Sequence, residues 1–158
     1  MRRAGRIVAD TRTKVVAAVR PGITTGRLDA VAEESIRAAG ATPSFKGYRG
    51  SGGTARPFPA SICASVNDQV VHGIPGDRVL AEGDVVSIDC GAIVDGWHGD
   101  AAITVAVGDV SEGARELMRV TEESLWRGLA AARLGGRLSD VSHAVESYVR
   151  SQGSFGII

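Results

Sequence analysis

The sequence has few cysteines and no long apolar run, and both shortages limit what the protein can be. Cys63 and Cys90 are the two cysteines among 158 residues, which is too few for a disulfide framework or a structural zinc site. The arginine-rich start is followed by neither the apolar segment of a signal peptide nor a run of 18 apolar residues. We therefore expect a cytoplasmic protein without a membrane partner.

The sequence also has no excess of charge of either sign. Lys plus Arg and Asp plus Glu number 18 each, so the net charge at pH 7 is +0. Such a balance gives no global field that would attract nucleic acid, and we expect no nucleic-acid partner. Hydrophobic residues make up 44% and charged residues 23%, as in an ordinary globular domain of this length.

Helical spacing of apolar residues predicts two pairs of helices that flank a β-rich region. The first helix begins at residue 2 and ends before Pro21-Gly22, and the second is capped by Thr24 or Thr25 and ends at Gly40. Ser111 caps the third helix, which Gly135-Gly136 stops, and Ser139 caps the fourth. These boundaries predict one helix–helix–strand unit over about 1–108 and the helices of a second unit over about 111–152.

The region between the helix pairs contains the predicted strands. Residues 41–59 are rich in Gly, Pro, Ser and Arg and predict a long loop. "SICASVNDQVVHGIP" has strand character with a turn or bulge at Asn67-Asp68. Residues 85–107 form two β-rich arms around Asp95-Gly96, and Asp-Gly between apolar arms is a strong hairpin signal. "GSFGII" at the end of the sequence suggests the start of another strand.

The predicted hairpin brings two aspartates together. A two-residue loop at Asp95-Gly96 pairs Gly91 with Asp100 and pairs Asp89 with Ala102, so both carboxylates share one face of the sheet. Diagonal neighbours of this kind stand roughly 7–8 Å apart, and without compensation two such charges repel and at least one takes up a proton.

Two explanations for the aspartate pair remain open from spacing alone. A pair of divalent cations about 3.5–4 Å apart would compensate both charges and activate a water molecule for hydrolysis. Alternatively, one aspartate pairs with an arginine and the other is solvated at the hairpin end. His98 falls on the same face in this register, where we interpret it as structural or supporting. His72 could approach the face from a neighbouring strand as a substrate contact or an acid/base group.

Three longer segments resemble the type I methionine aminopeptidases. They are "MRRAGRIVADT", "PSFKGY" and "FPASICASVNDQVVHGIPGDRVLAEGDVVSIDCGAIVDGWHGDAAITVAVG". The resemblance runs over nearly the whole chain and implies an α+β pita-bread fold, of which 1–158 would be a single partial catalytic domain with its second half truncated. It also implies a hydrolase that removes the initiator methionine from nascent polypeptides, with the ribosome as a candidate partner.

The same resemblance implies roles for individual residues. Asp89 and Asp100 match ligands of a centre with two divalent metal ions, for which Mn, Fe, Co or Zn are candidates. His72 matches a catalytic, substrate-contacting histidine. Tyr48, Phe58 and Cys63 match positions that line the pocket for the methionine side chain, and an apolar, polarizable pocket suits a thioether.

The sequence departs from the family pattern in two places. The family completes its metal site with a histidine and two glutamates that follow the point where this chain stops, so we expect little or no activity from these residues alone. Residues 51–57 look like an insertion beside the pocket. The alternative function is a non-catalytic pita-bread module that binds peptides or proteins, and a proline-directed peptidase of the same fold fits "SVNDQVVHGIP" less well.

Overall fold

The computed structural model describes residues 1–50 and 56–157, which form two compact units. The first unit is Met1–Val110 and the second begins at Ser111. In the described part of the chain, the helices are α1 (Arg2–Ala18), α2 (Thr25–Ala38), α3 (Glu112–Ala131) and α4 (Leu138–Ser151), and the strands are β1 (Thr42–Pro43), β2 (Ile62–Val66), β3 (Val85–Val94) and β4 (Trp97–Ala106).

Side-chain caps fix the start of three of these helices. The Thr24 hydroxyl accepts a hydrogen bond from the Arg27 N–H at the start of α2, and the Ser111 hydroxyl does the same for α3, so both predicted caps are confirmed. The predicted Ser139 cap is wrong, because α4 begins at Leu138 with Arg137 as its N-cap, and Ser139 lies within the first turn. There the Asp140 carboxylate reaches back to accept the Arg137 N–H at 2.8 Å, as in the reciprocal half of a capping box.

The sheet of the first unit is built around β3. Strand β4 pairs antiparallel with the whole of β3 on one side, and β2 and β1 pair with successive parts of β3 on the other. Strand β1 lies within the segment for which the sequence predicts a loop, so that prediction is wrong over Thr42–Pro43. The pairing of only two residues is too short to produce a visible alternation of apolar and polar side chains.

Alternate residues of β3 make the two faces of the sheet chemically different. The residues that face the helices are buried and small or apolar: Val86, Ile88, Cys90, Ala92 and Val94. They form the core together with residues of α1 and α2, because a strand that packs on one face buries every second side chain. The opposite face is left for polar residues.

A tight turn sets the register of the β3–β4 hairpin. Asp95 and Gly96 have φ of 50° and 75°, the pair of positive φ values that defines a type I′ turn. The twist of this turn matches that of the flanking strands, so Val94 pairs directly with Trp97. The predicted hairpin is confirmed.

Two polar contacts from the helices hold the sheet in place. The Asp29 carboxylate on α2 accepts hydrogen bonds from the N–H groups of Ser61 and Ile62 at 2.7 and 3.0 Å, at the start of β2. The Arg12 guanidinium on α1 donates to the Ala102 carbonyl of β4 at 3.0 Å. Each bond satisfies a backbone group that the ladder leaves unpaired.

The second unit consists of α3 and α4 packed together. Gly128 of α3 lies against Val141 and Val145 of α4, and the Arg127 guanidinium stacks 4.2 Å from the centre of the Tyr148 ring. The described residues after Ser151 form a turn and irregular structure, so the strand predicted at the end of the sequence is wrong as far as residue 157. No helix in the described ranges is both long and apolar enough to cross a membrane.

Candidate metal and substrate site

The hairpin places Asp89 and Asp100 on the polar face of the sheet. Gly91 pairs with Asp100 and Asp89 pairs with Ala102, so the predicted register is confirmed residue by residue. Asp89 is half-buried and Asp100 is exposed. Because Gly91 carries no side chain, nothing from β3 itself stands beside the Asp100 carboxylate.

The two carboxylates influence each other electrostatically. Partial burial raises the pKa of Asp100, and the neighbouring Asp89 carboxylate raises it further through charge repulsion and a shared hydrogen bond, while His98 lowers it. Like charges placed close together disfavour the ionised form, which is the direction of the shift at Asp100. The direction of this shift agrees with the repulsion predicted from the sequence.

Cys63 lies in the next strand, directly opposite Asp89. Its thiol is 5% exposed, and burial together with the charges of Asp89 and Asp100 raises its pKa to about 11. Cys90 points into the core, and burial raises its pKa to about 12. Both thiols are free and protonated at neutral pH, so they act as small apolar groups.

His72 reaches the neighbourhood of β2 from a loop, whereas the sequence suggests the end of a strand. The Gly73 N–H donates to the Ser65 hydroxyl at 3.0 Å, and the Ala64 N–H of β2 donates to the Gly73 carbonyl at 2.9 Å. These bonds attach the loop beside Cys63. His72 is exposed with φ of 59°, a left-handed conformation that is strained for a residue with a Cβ.

An aromatic pair adjoins the carboxylates. The rings of Phe45 and Phe58 meet edge to face with centroids 6.5 Å apart, and a Cβ built at Gly91 would lie 3.0 Å from the Phe45 ring. Phe58 was predicted from the sequence, but Phe45 was not, since the very short β1 gives no alternation from which its orientation could be read. The Tyr48 side chain is 65% exposed, and its backbone carbonyl accepts the Phe58 N–H at 2.9 Å.

The proposed insertion at 51–57 lies mostly outside the described residues. The two segments that flank it are joined by hydrogen bonds, because the Gly47 N–H also donates to the Phe58 carbonyl at 2.8 Å. Residues on both sides of 51–55 are therefore fixed next to the aromatic pair, whatever the length of the segment between them.

Comparison with known proteins assigns this arrangement to a family. The family model for "Metallopeptidase family M24" matches residues 1–157. The chain belongs to metallopeptidase family M24. Membership of a metallopeptidase family implies a divalent metal centre, and the type I methionine aminopeptidase resemblance seen in the sequence is confirmed.

Three M24 relatives illustrate the similarity and its extent. The chain is 50% identical over 159 residues to a methionine aminopeptidase of Clostridium acetobutylicum, with 100% of the chain and 60% of that protein covered. It is 51% identical to methionine aminopeptidase 1 of Bacillus subtilis, with 96% and 58% covered. The crystal structure of the Thermotoga maritima methionine aminopeptidase superposes with a TM-score of 0.89 at 39% identity, with 96% and 58% covered.

These M24 relatives confirm the predicted pita-bread fold. The chain spans about 60% of the length of the curated relatives it matches. Its own residues provide two carboxylates, which are suitable oxygen ligands for a divalent cation. The repulsion between the two carboxylates, which contributes to the raised pKa of Asp100, is what a bound cation would compensate, so these two donors fit part of a metal centre.

Proposed function

We propose that this M24 chain provides metal ligands and side-chain pocket residues of a methionine aminopeptidase, which hydrolyses the first peptide bond of a polypeptide that begins with methionine. The observation that carries the proposal is the Asp89–Asp100 pair on a half-open sheet face that adjoins an apolar wall. The reading is further supported by relatives named methionine aminopeptidase at 50–51% identity.

Each site residue has a distinct part in the proposed reaction. Asp89 and Asp100 would hold two divalent cations, with Mn, Fe, Co or Zn as candidates. When bound, such cations supply a Lewis acid that polarises the scissile carbonyl and lowers the pKa of water. His72 contacts the substrate near the reacting bond. Phe58, Cys63 and Tyr48 contact the methionine side chain, and Phe45 extends this wall.

The proposed substrates and surroundings follow from the same function. Nascent polypeptides with an initiator methionine are the substrates, which makes the cytoplasm the expected location and the ribosome a candidate partner. The chain spans only part of its relatives, so these statements apply to the whole protein of which such a site is part.

A non-catalytic peptide-binding module is the second candidate function. The small number of candidate metal ligands favours this function. Within residues 1–50 and 56–157, no group of three or more His, Cys, Asp or Glu side chains could hold a metal ion. A module of this kind would bind a peptide without a metal. The two functions therefore differ in whether ligand binding depends on a cation.

Titration with methioninamide distinguishes the two functions. We expect the 158-residue chain to bind methioninamide more tightly than alaninamide, and only when Mn²⁺ is present. Phe58→Ala should weaken binding about tenfold, because the contact of a thioether with an aromatic ring contributes up to about 1.5 kcal/mol. Isothermal titration calorimetry measures each affinity.

Phe155→Ala is the matched control, since it removes the same ring from the second unit. It should leave the affinity for methioninamide unchanged. Equal binding with and without Mn²⁺ would support the peptide-binding module, and equal binding of the two amides would contradict a methionine pocket.

The affinity for Mn²⁺ should increase as the pH rises through the pKa of Asp100. This pKa is raised by partial burial and by Asp89. Below this pKa a cation must displace a proton from Asp100, whereas above it Asp100 is already ionised. Calorimetry in buffers of different ionisation enthalpy measures the protons released. An affinity that does not change with pH would contradict binding at this pair.

A further inference from the structure

Ser44 lies on the same sheet face as the two aspartates, although neither the sequence pattern nor the pocket assigns it a role. It follows directly after β1, in which Pro43 pairs with Ala92. The Ser44 N–H continues the ladder by donating to the Gly91 carbonyl at 3.0 Å. Side chains of directly opposed residues share a face, so Ser44 projects on the side of Asp89 and Asp100.

The missing side chain at Gly91 provides the space that the Ser44 hydroxyl occupies. A Cβ built at Gly91 would overlap the Ser44 Oγ. Gly91 also separates Ser44 from Asp100, because Asp100 is the partner of Gly91 in β4. Ser44, Gly91 and Asp100 therefore form one row across three strands, with the hydroxyl and the carboxylate on either side of a residue without a side chain.

The Gly91–Asp100 pairing brings the row close together. Val94 and Trp97 close a two-residue hairpin, and counting from them makes Gly91–Asp100 a pair that does not exchange backbone hydrogen bonds. The Cβ positions of such a pair are about 4.5–5.5 Å apart. Because the Ser44 Oγ overlaps the position of a Gly91 Cβ, the Asp100 Cβ lies about one such cross-strand step from the Ser44 hydroxyl.

The Ser44 hydroxyl is buried and has no hydrogen-bond partner within the described ranges. A buried hydroxyl without a partner costs free energy, and in native proteins such groups call for an explanation. Asp100 offers one, since an ionised carboxylate accepts at about four lone-pair positions.

We propose that Ser44 is a positioning residue for Asp100, whose hydroxyl donates a hydrogen bond to the Asp100 carboxylate once a divalent cation occupies the aspartate pair. The inference rests on the proposed metal site. A cation held by both carboxylates would fix the orientation of Asp100, and an Asp100 oxygen turned away from it would accept the hydrogen bond from the Ser44 hydroxyl. Gly91 is required because any larger residue would fill the space between the two side chains.

The proposal predicts opposite effects of Ser44→Ala in the two states of the chain. In the cation-free state the hydroxyl makes no hydrogen bond, so its removal should leave the thermal midpoint unchanged or raise it. In the cation-bound state the variant lacks a charge-assisted hydrogen bond, and Mn²⁺ affinity should fall about tenfold. A purely structural serine would lower stability in both states.

The test compares the 158-residue chain with Ser44→Ala, Ser44→Thr and Ser124→Ala. Free Mn²⁺ is measured by electron paramagnetic resonance, and thermal unfolding is measured in EDTA. We expect Ser44→Ala to lose about tenfold in Mn²⁺ affinity. Ser44→Thr keeps the hydroxyl and should bind Mn²⁺ more tightly than Ser44→Ala does. Ser124→Ala, a change at another buried serine that lies in the second unit, should bind Mn²⁺ as the wild type does.

Two results would overturn the inference while leaving the metal site intact: Mn²⁺ affinity of Ser44→Ala within twofold of the wild type, or a lower thermal midpoint of that variant in EDTA. If the wild-type chain binds no Mn²⁺, the metal site of the proposed function is wrong and the role of Ser44 is lost with it.

Discussion

Asp89→Asn should lower the affinity of the chain for Mn²⁺ by at least about 100-fold. The amide keeps the size of the carboxylate but removes its charge, and hard divalent cations bind mainly through charged oxygen ligands. Changes to groups that only support metal ligands already cost about 10–100-fold. Asp89 also lies on β3, which pairs with β2 on one side and with β4 on the other, so the backbone that carries this carboxylate is held in place. Calorimetric titration measures the loss.

Asp95→Asn is the matched control for this change. Asp95 lies at the tip of the same hairpin, where Asn also tolerates a positive φ, and its carboxylate pairs with the exposed Arg3 guanidinium at 3.2 Å. The affinity of the Asp95→Asn variant for Mn²⁺ should equal that of the wild type. Equal losses in both variants would mean that Mn²⁺ binds through general surface charge.

Asp100→Asn adds an independent check on the electrostatics of the pair. The folded chain raises the pKa of Asp100, so protonation favours the fold and this contribution is lost as the pH rises through that pKa. At pH 7 the cation-free variant should therefore be more stable than the wild type, by up to about 1 kcal/mol for an exposed charge pair. Thermal unfolding in EDTA provides the measurement, and a destabilised variant would contradict the repulsion.

Gly99→Ala should destabilise the chain by about 2–3 kcal/mol. Gly99 lies on the helix-facing side of β4, and a Cβ there would lie 2.6 Å from both the Ala4 carbonyl carbon and the Gly5 nitrogen of α1. These are backbone atoms, so the clash cannot be relieved by a side-chain rotation and α1 must move away from the sheet. Urea denaturation followed by circular dichroism measures the change in unfolding free energy.

Gly5→Ala is the natural comparison, because Gly5 belongs to the same contact between α1 and β4. A Cβ at Gly5 meets no atom within 4 Å, and alanine has the higher helix propensity, so this variant should gain about 0.5–1 kcal/mol. If Gly99→Ala were as stable as Gly5→Ala, the close approach of α1 to β4 would be contradicted.

The relative placement of Asp89 and Asp100 could be predicted from the sequence because it depends on local rules. An Asp-Gly turn has a fixed loop length, and alternation along two strands then determines which side chains share a face. Thr24 and Ser111 caps were predictable for the same reason, since a cap requires only its own helix. At α4 the competing Asp140 carboxylate changed the outcome, because two residues of the sequence were able to cap the same helix end.

Contacts between distant segments could not be predicted in this way. Strand β1 is defined by β3, some 50 residues later in the chain, and nothing in its two residues indicates a strand. Phe45 and Ser44 reach the site only through this pairing. His72 belongs to a loop whose position depends on two hydrogen bonds to β2, which are tertiary contacts without a periodic signal.

The two faces of β3 have a consequence for how mutations are tolerated. Even-numbered residues from Val86 to Val94 fill the core, whereas the odd-numbered residues Ser87, Asp89 and Gly91 face the site. In a saturation scan of this strand, substitutions at even-numbered positions should therefore lower the abundance of the folded protein. Substitutions at odd-numbered positions should change ligand affinity instead. Selection can adjust solubility and chemistry on neighbouring codons almost independently, provided that no insertion or deletion shifts the frame of the strand by one residue.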